Sequence, residues 1–177
     1  MRPVKIFLGL TLFISTSVAA QTTRQWEVRG DTSGAPAGCS ARAGLDAIDS
    51  WFAAMARPDS AGLARVMSSP FVFSTGRFTP TDAFFVGRSI GQLVDYARRR
   101  ASHRERLVLQ AITFNRWRGQ ALRFGPVYFL RTADDLGSTP RTGIGKGEYL
   151  CNRGLSVLNF APRPPGDDGR SAMRPPR

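Results

Sequence analysis

The sequence is short of the residues that hold metals and run nucleophilic catalysis. It has one histidine, His103, and two cysteines, Cys39 and Cys151, set far apart. One imidazole and two distant thiols do not supply an ordinary zinc site, and the carboxylates show no calcium-loop spacing. His103 stands in Ser102-His103-Arg104, among arginines. It reads as a solvent-facing residue at a helix end, and its isolation argues against a Ser-His-Asp arrangement. Acids are scarce too, 13 against 25 basic residues, and nearly all the basic residues are arginine. No recognition helix or other nucleic-acid motif accompanies this excess, so it reads as a solvated surface and nucleic acid is not an expected partner. Arg98-Arg99-Arg100, with Arg104 and Arg106, is the densest patch. Its two readings are a contact for anionic lipid or polysaccharide and the exposed last turn of a helix.

Long apolar runs are missing after the first 20 residues, so nothing later is long enough to span a bilayer. The start of the chain differs. Arg2 and Lys5 precede an apolar run from Ile6 to Ile14, and Val18-Ala19-Ala20 fits a signal-peptidase site before Gln21. This predicts a signal peptide over 1–20 and an exported chain, periplasmic or secreted. Two cysteines in such a compartment predict a Cys39–Cys151 disulfide. Ala37-Gly38-Cys39 has the look of a lipoprotein site but lies well beyond the apolar run that such a site follows directly. Gly30, Gly34, Pro36 and Gly38 punctuate a flexible lead over 21–38, in which Trp26 and Val28 leave room for a short edge strand. The stretch 162–177 is rich in Pro, Gly and Arg, with little to bury, and reads as a disordered tail. Between them, 39–161 has the size of one domain.

Leu45, Ile48, Phe52 and Met55 recur at helical spacing and predict a helix from Ser40 to Arg57, stopped by Pro58. Pro58-Asp59-Ser60 opens a second, shorter helix that ends near Ser68-Ser69-Pro70. Phe71 to Thr75 reads as a strand. A third helix is expected from about Gly87 to Ser102. Arg106–Trp117 and Ala121–Thr132 read as a hairpin around Arg118-Gly119-Gln120, with a bulge or bend at Gly125-Pro126. Ile144–Cys151 and Leu155–Ala161 form another, turning at Asn152-Arg153-Gly154. Gly143-Ile144-Gly145-Lys146-Gly147 invites a phosphate-loop reading, but the spacer is too short and a strand follows instead of a helix. Its glycines read as a flexible start to a strand.

Helices first and antiparallel strands after them give an α+β class. In this order the chain resembles the nuclear-transport-factor-2-like (cystatin-like) superfamily. The resemblance rests on Ala47-Ile48-Asp49-Ser50-Trp51-Phe52-Ala53-Ala54-Met55, on Pro58-Asp59-Ser60-Ala61-Gly62-Leu63, and on the last two strands, Gly145 to Cys151 and Gly154 to Phe160. It implies N-terminal helices packed in the concave face of a strongly curved antiparallel sheet, a cone with an apolar pocket. Trp51, Phe52, Phe73, Phe124, Tyr128 and Tyr149 are the candidate pocket residues. Strand alternation puts Phe124 and Tyr128 on one face with Leu122 and Leu130, and Arg123, Phe129 and Arg131 on the other. Catalytic relatives of this kind use an Asp or His inside the cone, and Asp49, Asp82, Asp95 beside Tyr96, and Glu148 beside Tyr149 are the carboxylates to weigh. None falls in a catalytic motif, and each also reads as a surface partner of arginine.

The resulting expectation is an exported domain that binds an apolar small molecule or a protein partner, with no cofactor or metal. Two alternatives stand beside it: a cofactor-independent isomerase or lyase of the ketosteroid-isomerase or polyketide-cyclase kind, and a structural homodimerisation module. The enzyme requires a carboxylate inside the cone. A ligand site requires an open cavity of about 300 Å³ or more. The dimer predicts a filled cone and an exposed apolar sheet face.

Overall fold

A computed structural model describes residues 27–80 and 82–164. The expected signal peptide and residues 165–177 of the expected tail lie outside the described residues. Helix α1 (Ala41–Ala56) begins where Ser40 accepts the Ala43 N–H at 3.1 Å. It ends just before Pro58, and buries Leu45, Ile48, Trp51, Phe52 and Met55. Helix α2 (Ser60–Val66) is capped by Asp59, which accepts the Ala61 N–H, and it buries Leu63. It stops earlier than the spacing predicts. Strand β2 (Met67–Thr75) already begins at Met67, which pairs with Leu155, because proline at 70 disfavours a helix running up to it.

Strand β3 (Phe85–Gly87), not anticipated, pairs back on β2 and delays the third helix. That helix, α3 (Ile90–Ser102), is capped on Ser89, whose hydroxyl accepts the Gln92 N–H while the Gln92 side chain accepts the Arg88 N–H. Strands β4 (Arg106–Arg118) and β5 (Ala121–Thr132) form the expected hairpin. After a 3-10 turn at Asp134–Leu136, β6 (Arg141–Leu150) and β7 (Gly154–Pro162) form the other. Strand β1 (Glu27–Gly30) takes the edge, parallel to β4. The sheet order is β1-β4-β5-β6-β7-β2-β3, with β2 lying parallel to β7. This curved, unclosed sheet holds the helices on its inner face, as the resemblance implies.

The core is aromatic. Trp51 and Phe52 from α1 meet Phe73, Phe129 and Phe160 from three strands, with ring centroids 5–6 Å apart, as in Trp51–Phe160 at 5.1 Å and Phe129–Phe160 at 4.8 Å. Strand β6 makes room for these rings by presenting glycine at three alternating inner positions, Gly143, Gly145 and Gly147, ahead of Tyr149. A Cβ on Gly143 would collide with the Phe129 ring, one on Gly145 with the Phe160 ring, and one on Gly147 with Phe124 and the Val157 carbonyl. The glycines are thus seats for three phenylalanines, not a flexible start to a strand. Gly145→Ala is expected to cost about 1–3 kcal/mol through overpacking. Urea unfolding should show it as a lower midpoint at unchanged slope.

The disulfide joins Cys39, just ahead of α1, to Cys151 at the end of β6, with Cα atoms 5.6 Å apart. Strand β7 runs one residue past the expected domain end, and Arg163 goes further. Its N–H reaches the Thr142 carbonyl at 3.0 Å, and its guanidinium lies 4.8 Å from the centre of the Tyr128 ring.

Candidate functional site

Inside the cone, the sheet delivers an arginine to the aromatic core. Strands β5 and β6 slip in register between Phe124 and Val127, at Gly125-Pro126. Before the slip Leu122 and Phe124 point inward. After it Val127, Phe129 and Arg131 do, and Tyr128 and Leu130 turn to the outer face. Alternation carried straight through the bulge misplaces this second half, so Tyr128 is not in the cone and Arg131 is, only 2% exposed.

Arg131 sits in a buried ionic cluster. Its Nη1 donates to Asp82 Oδ2 at 2.9 Å, its Nε and Nη2 meet Glu105 Oε2 at 2.8 Å, and its Nη2 lies 3.4 Å from the Tyr96 hydroxyl. Arg100 also donates from Nε to Glu105 Oε2 and from both Nη atoms to Asp135, at 2.7 and 2.8 Å. Its Nη1 is 3.8 Å from Asp82 Oδ1. Burial alone would weaken the Arg100 charge, but the bonds to Asp135 and Glu105 outweigh it and raise its pKa. The Arg100 guanidinium holds the Asp135 carboxyl below its usual range. Burial pushes the Tyr96 hydroxyl up to about 12, so it remains neutral, and its oxygen accepts from Arg131. The space left beside the cluster is about 10 Å³, bordered by Trp51, Thr75, Tyr96, Glu105 and Arg131 among others. That is room for about one water.

Of the candidate pocket residues, Trp51, Phe52 and Phe73 come together and fill the cone. Phe124 packs on Phe114 at 6.3 Å, Tyr149 lies against Gly44 near the disulfide end, and Tyr128 is on the outer face. Of the candidate carboxylates, Asp82 is buried in the cluster. Asp95 is exposed near Arg98, and Glu148 faces outward, bonded to Arg123 and Ser156. Asp49 is half-buried on α1. Glu105, Arg131, Arg100 and Asp135 carry the cluster, and the sequence reading did not place them there. Arg100 had a visible signal: it follows Leu93 and Ala97 at helical spacing, on the buried stripe of α3. The arginine patch is therefore largely answered, with Arg100 bonded inward and Arg104 bonded to Asp134 at 2.8 Å.

The larger concavity is on the outer face. A groove of about 680 Å³ runs over β4 to β7, bordered by Asn115, Arg123, Pro126, Ile144, Lys146, Glu148, Val157, Asn159 and Ala161. Val72, Val86, Val108 and Val157 are exposed on four strands of the same face. No helix among the described residues is long and apolar enough to cross a membrane.

No family model matches the sequence, and no curated protein does. Solved structures do match in fold. One is described as a calcium/calmodulin-dependent protein kinase II association domain, from Xanthomonas campestris. It is 18% identical, with a TM-score of 0.54 over 76% of this chain and 96% of that one. Another is an NTF2-like protein of unknown function from Burkholderia pseudomallei, 11% identical, TM-score 0.51, covering 68% of this chain and 91% of that one. A third, described as a dehydratase of the NTF2-like family from Streptomyces avermitilis, is 11% identical, TM-score 0.51, covering 68% of this chain and 93% of its own. Identities this low speak for the fold and not for the activity. With α1 held in a curved sheet and these structures matching over most of their own length, the chain has the nuclear-transport-factor-2-like fold.

Proposed function

We propose that the chain is an exported interaction module that pairs with a second copy of itself through the outer face of the sheet. The observation that carries this is the contrast between the two concavities, about 10 Å³ in the cone and about 680 Å³ on the outer face. A filled cone turns the fold's surface, not its interior, toward a partner. The outer face offers exposed valines, with Arg123 and Lys146 beside Glu148. A two-fold axis sets the same patch against itself, so cations of one copy meet Glu148 of the other while the apolar rows pack. One protein of this fold is named an association domain. Export is supported by the sequence of residues 1–20 and by the Cys39–Cys151 bridge.

The acid–base reading lacks comparable support. The cavity-lining carboxylate, Glu105, shares one oxygen between two guanidiniums, and Asp82 bonds to Arg131. A small ligand in the outer groove is the second reading, favoured by a volume in the range of small-molecule sites. Native mass spectrometry of the mature chain separates them. We expect a dimer mass that Val157→Asp reduces to monomer without lowering the melting temperature. A monomer carrying a co-purified small molecule would move the reading to the ligand. A bare monomer at the highest soluble concentration would end the pairing reading.

A further inference from the structure

We propose that the groove on the outer face is a binding site for a free fatty carboxylate, and that Lys146 is the cation that receives its head group. The groove is laid out in cross-strand rows. Ile144 stands opposite Ala161, Lys146 opposite Asn159, and Glu148 opposite Val157, and all six border the space. On the β5 side the ladder jumps from Phe124–Gly147 to Val127–Gly145, so Gly125-Pro126 lies against Lys146 alone. The stem of Lys146 is seated on this bulge, where a Cβ on Gly125 would come within 2.8 Å of Lys146 Cβ. The ammonium group is thus carried at the middle of the groove, with the Ile144–Ala161 row next to it.

The charges of the groove leave Lys146 over. Glu148 is the one acid that borders it, and Glu148 is taken: Arg123 Nε donates to its Oε2 at 3.2 Å and the Ser156 hydroxyl to its Oε1 at 3.1 Å. Lys146 has no ion pair among the described residues. An exposed lysine without a partner is ordinary on a convex surface. At the centre of a groove of about 680 Å³ it selects a ligand with one negative end. The walls select the rest of that ligand. Pro126, Ile144, Val157 and Ala161 are aliphatic, which suits an alkyl chain. Two residues along β6 span about 7 Å. A short alkyl chain with its carboxylate at Lys146 therefore covers Ile144 and Ala161. The site rests on the groove being open to a ligand, the second reading above, and not on pairing between copies. If copies do pair through this face, a bound carboxylate takes the place that Glu148 of the second copy fills, so ligand and pairing exclude each other.

The sequence makes the test site-specific, because Lys146 is the only lysine after Lys5. Amine acetylation of the mature chain, followed by peptide mass spectrometry, reads its exposure directly. It is run at a dilution where native mass spectrometry shows monomer, or on Val108→Asp, whose change lies outside the groove. Sodium octanoate should slow acetylation of Lys146, at a concentration about tenfold below that at which 1-octanol does, since a hydrogen bond to a charged group is worth about that factor or more. Calorimetric titration should show octanoate binding about tenfold weaker in Lys146→Met, with 1-octanol unchanged. Full-rate acetylation in saturating octanoate, 1-octanol matching octanoate, or equal octanoate affinity in Lys146→Met would each overturn the proposal. Protection of a chain that never pairs upholds the site and ends the pairing reading. A dimer whose monomer octanoate fails to protect does the reverse.

Discussion

A chain carrying Cys39→Ala and Cys151→Ala is expected to lose about 4–5 kcal/mol of stability, because the bridge closes a loop of over a hundred residues and removes that freedom from the unfolded ensemble. The separation is 112 residues, spanning α1 through β6, so nearly the whole fold lies inside the closed ring. Alanine is chosen because Cys151 is buried, and a serine there would add an unpaired hydroxyl to the count. Urea unfolding of the double variant should match that of the wild type in reductant, since both lack the same link. A midpoint close to that of the oxidised wild type would show that the unfolded chain already keeps its ends near each other.

The second large effect concerns Arg131. Arg131→Met keeps much of the apolar stem but leaves buried Asp82 without its main partner and Glu105 with Arg100 alone. Removing one member of a buried charge cluster costs about 3–5 kcal/mol, much of it the penalty of the charges left behind. Thermal unfolding should show a large drop. Arg104→Met, which breaks an exposed pair with Asp134, should leave the curve where it is. If the two variants melt alike, the interior cluster is not sealed from water. The cluster also fixes a pH dependence. Asp135 has a folded pKa below its ordinary 3.8, chiefly through the Arg100 bonds. Its stabilisation is therefore complete above 3.8 and is lost as pH falls through the lower folded value. Stability should hold flat on this account from neutral pH down to about 5 and decline in stronger acid, a trend that melting temperature against pH reads directly.

The helices and hairpins were legible because their signals are local. Ser40 before the apolar period of α1, Pro58 after it, and Asn152-Arg153-Gly154 between β6 and β7 each act on their own neighbours, and Asn152 does take a positive φ of 57°. Strand β3 was not legible because its three residues are too short to carry a pattern, and the early start of β2 was not because its partner β7 lies far along the chain. The candidate site suffered from one local event with a distant result. A bulge at Gly125-Pro126 was expected there, yet a bulge also swaps the faces of everything beyond it, which brings Arg131 inside and sends Tyr128 out. The three glycines of β6 were opaque for another reason. A glycine that exists to seat a ring resembles a glycine that exists to bend, until the ring's own strand is known.

The place of β7 carries one more consequence, for the order of events in the cell. Strand β7 lies between β6 and β2, so among the described residues it is the one direct strand link between the β1-β4-β5-β6 half of the sheet and the β2-β3 pair. Until the chain has been made as far as Pro162, those two parts have no shared hydrogen bonds, and Trp51 and Phe73 lack the Phe160 ring that covers them. Synthesis alone therefore cannot trap a finished domain early. A chain built this way is still open until β7 has been made; if it is exported as proposed, that open state is the one that would be threaded through a membrane, and the Cys39–Cys151 bridge would close around a fold completed afterwards.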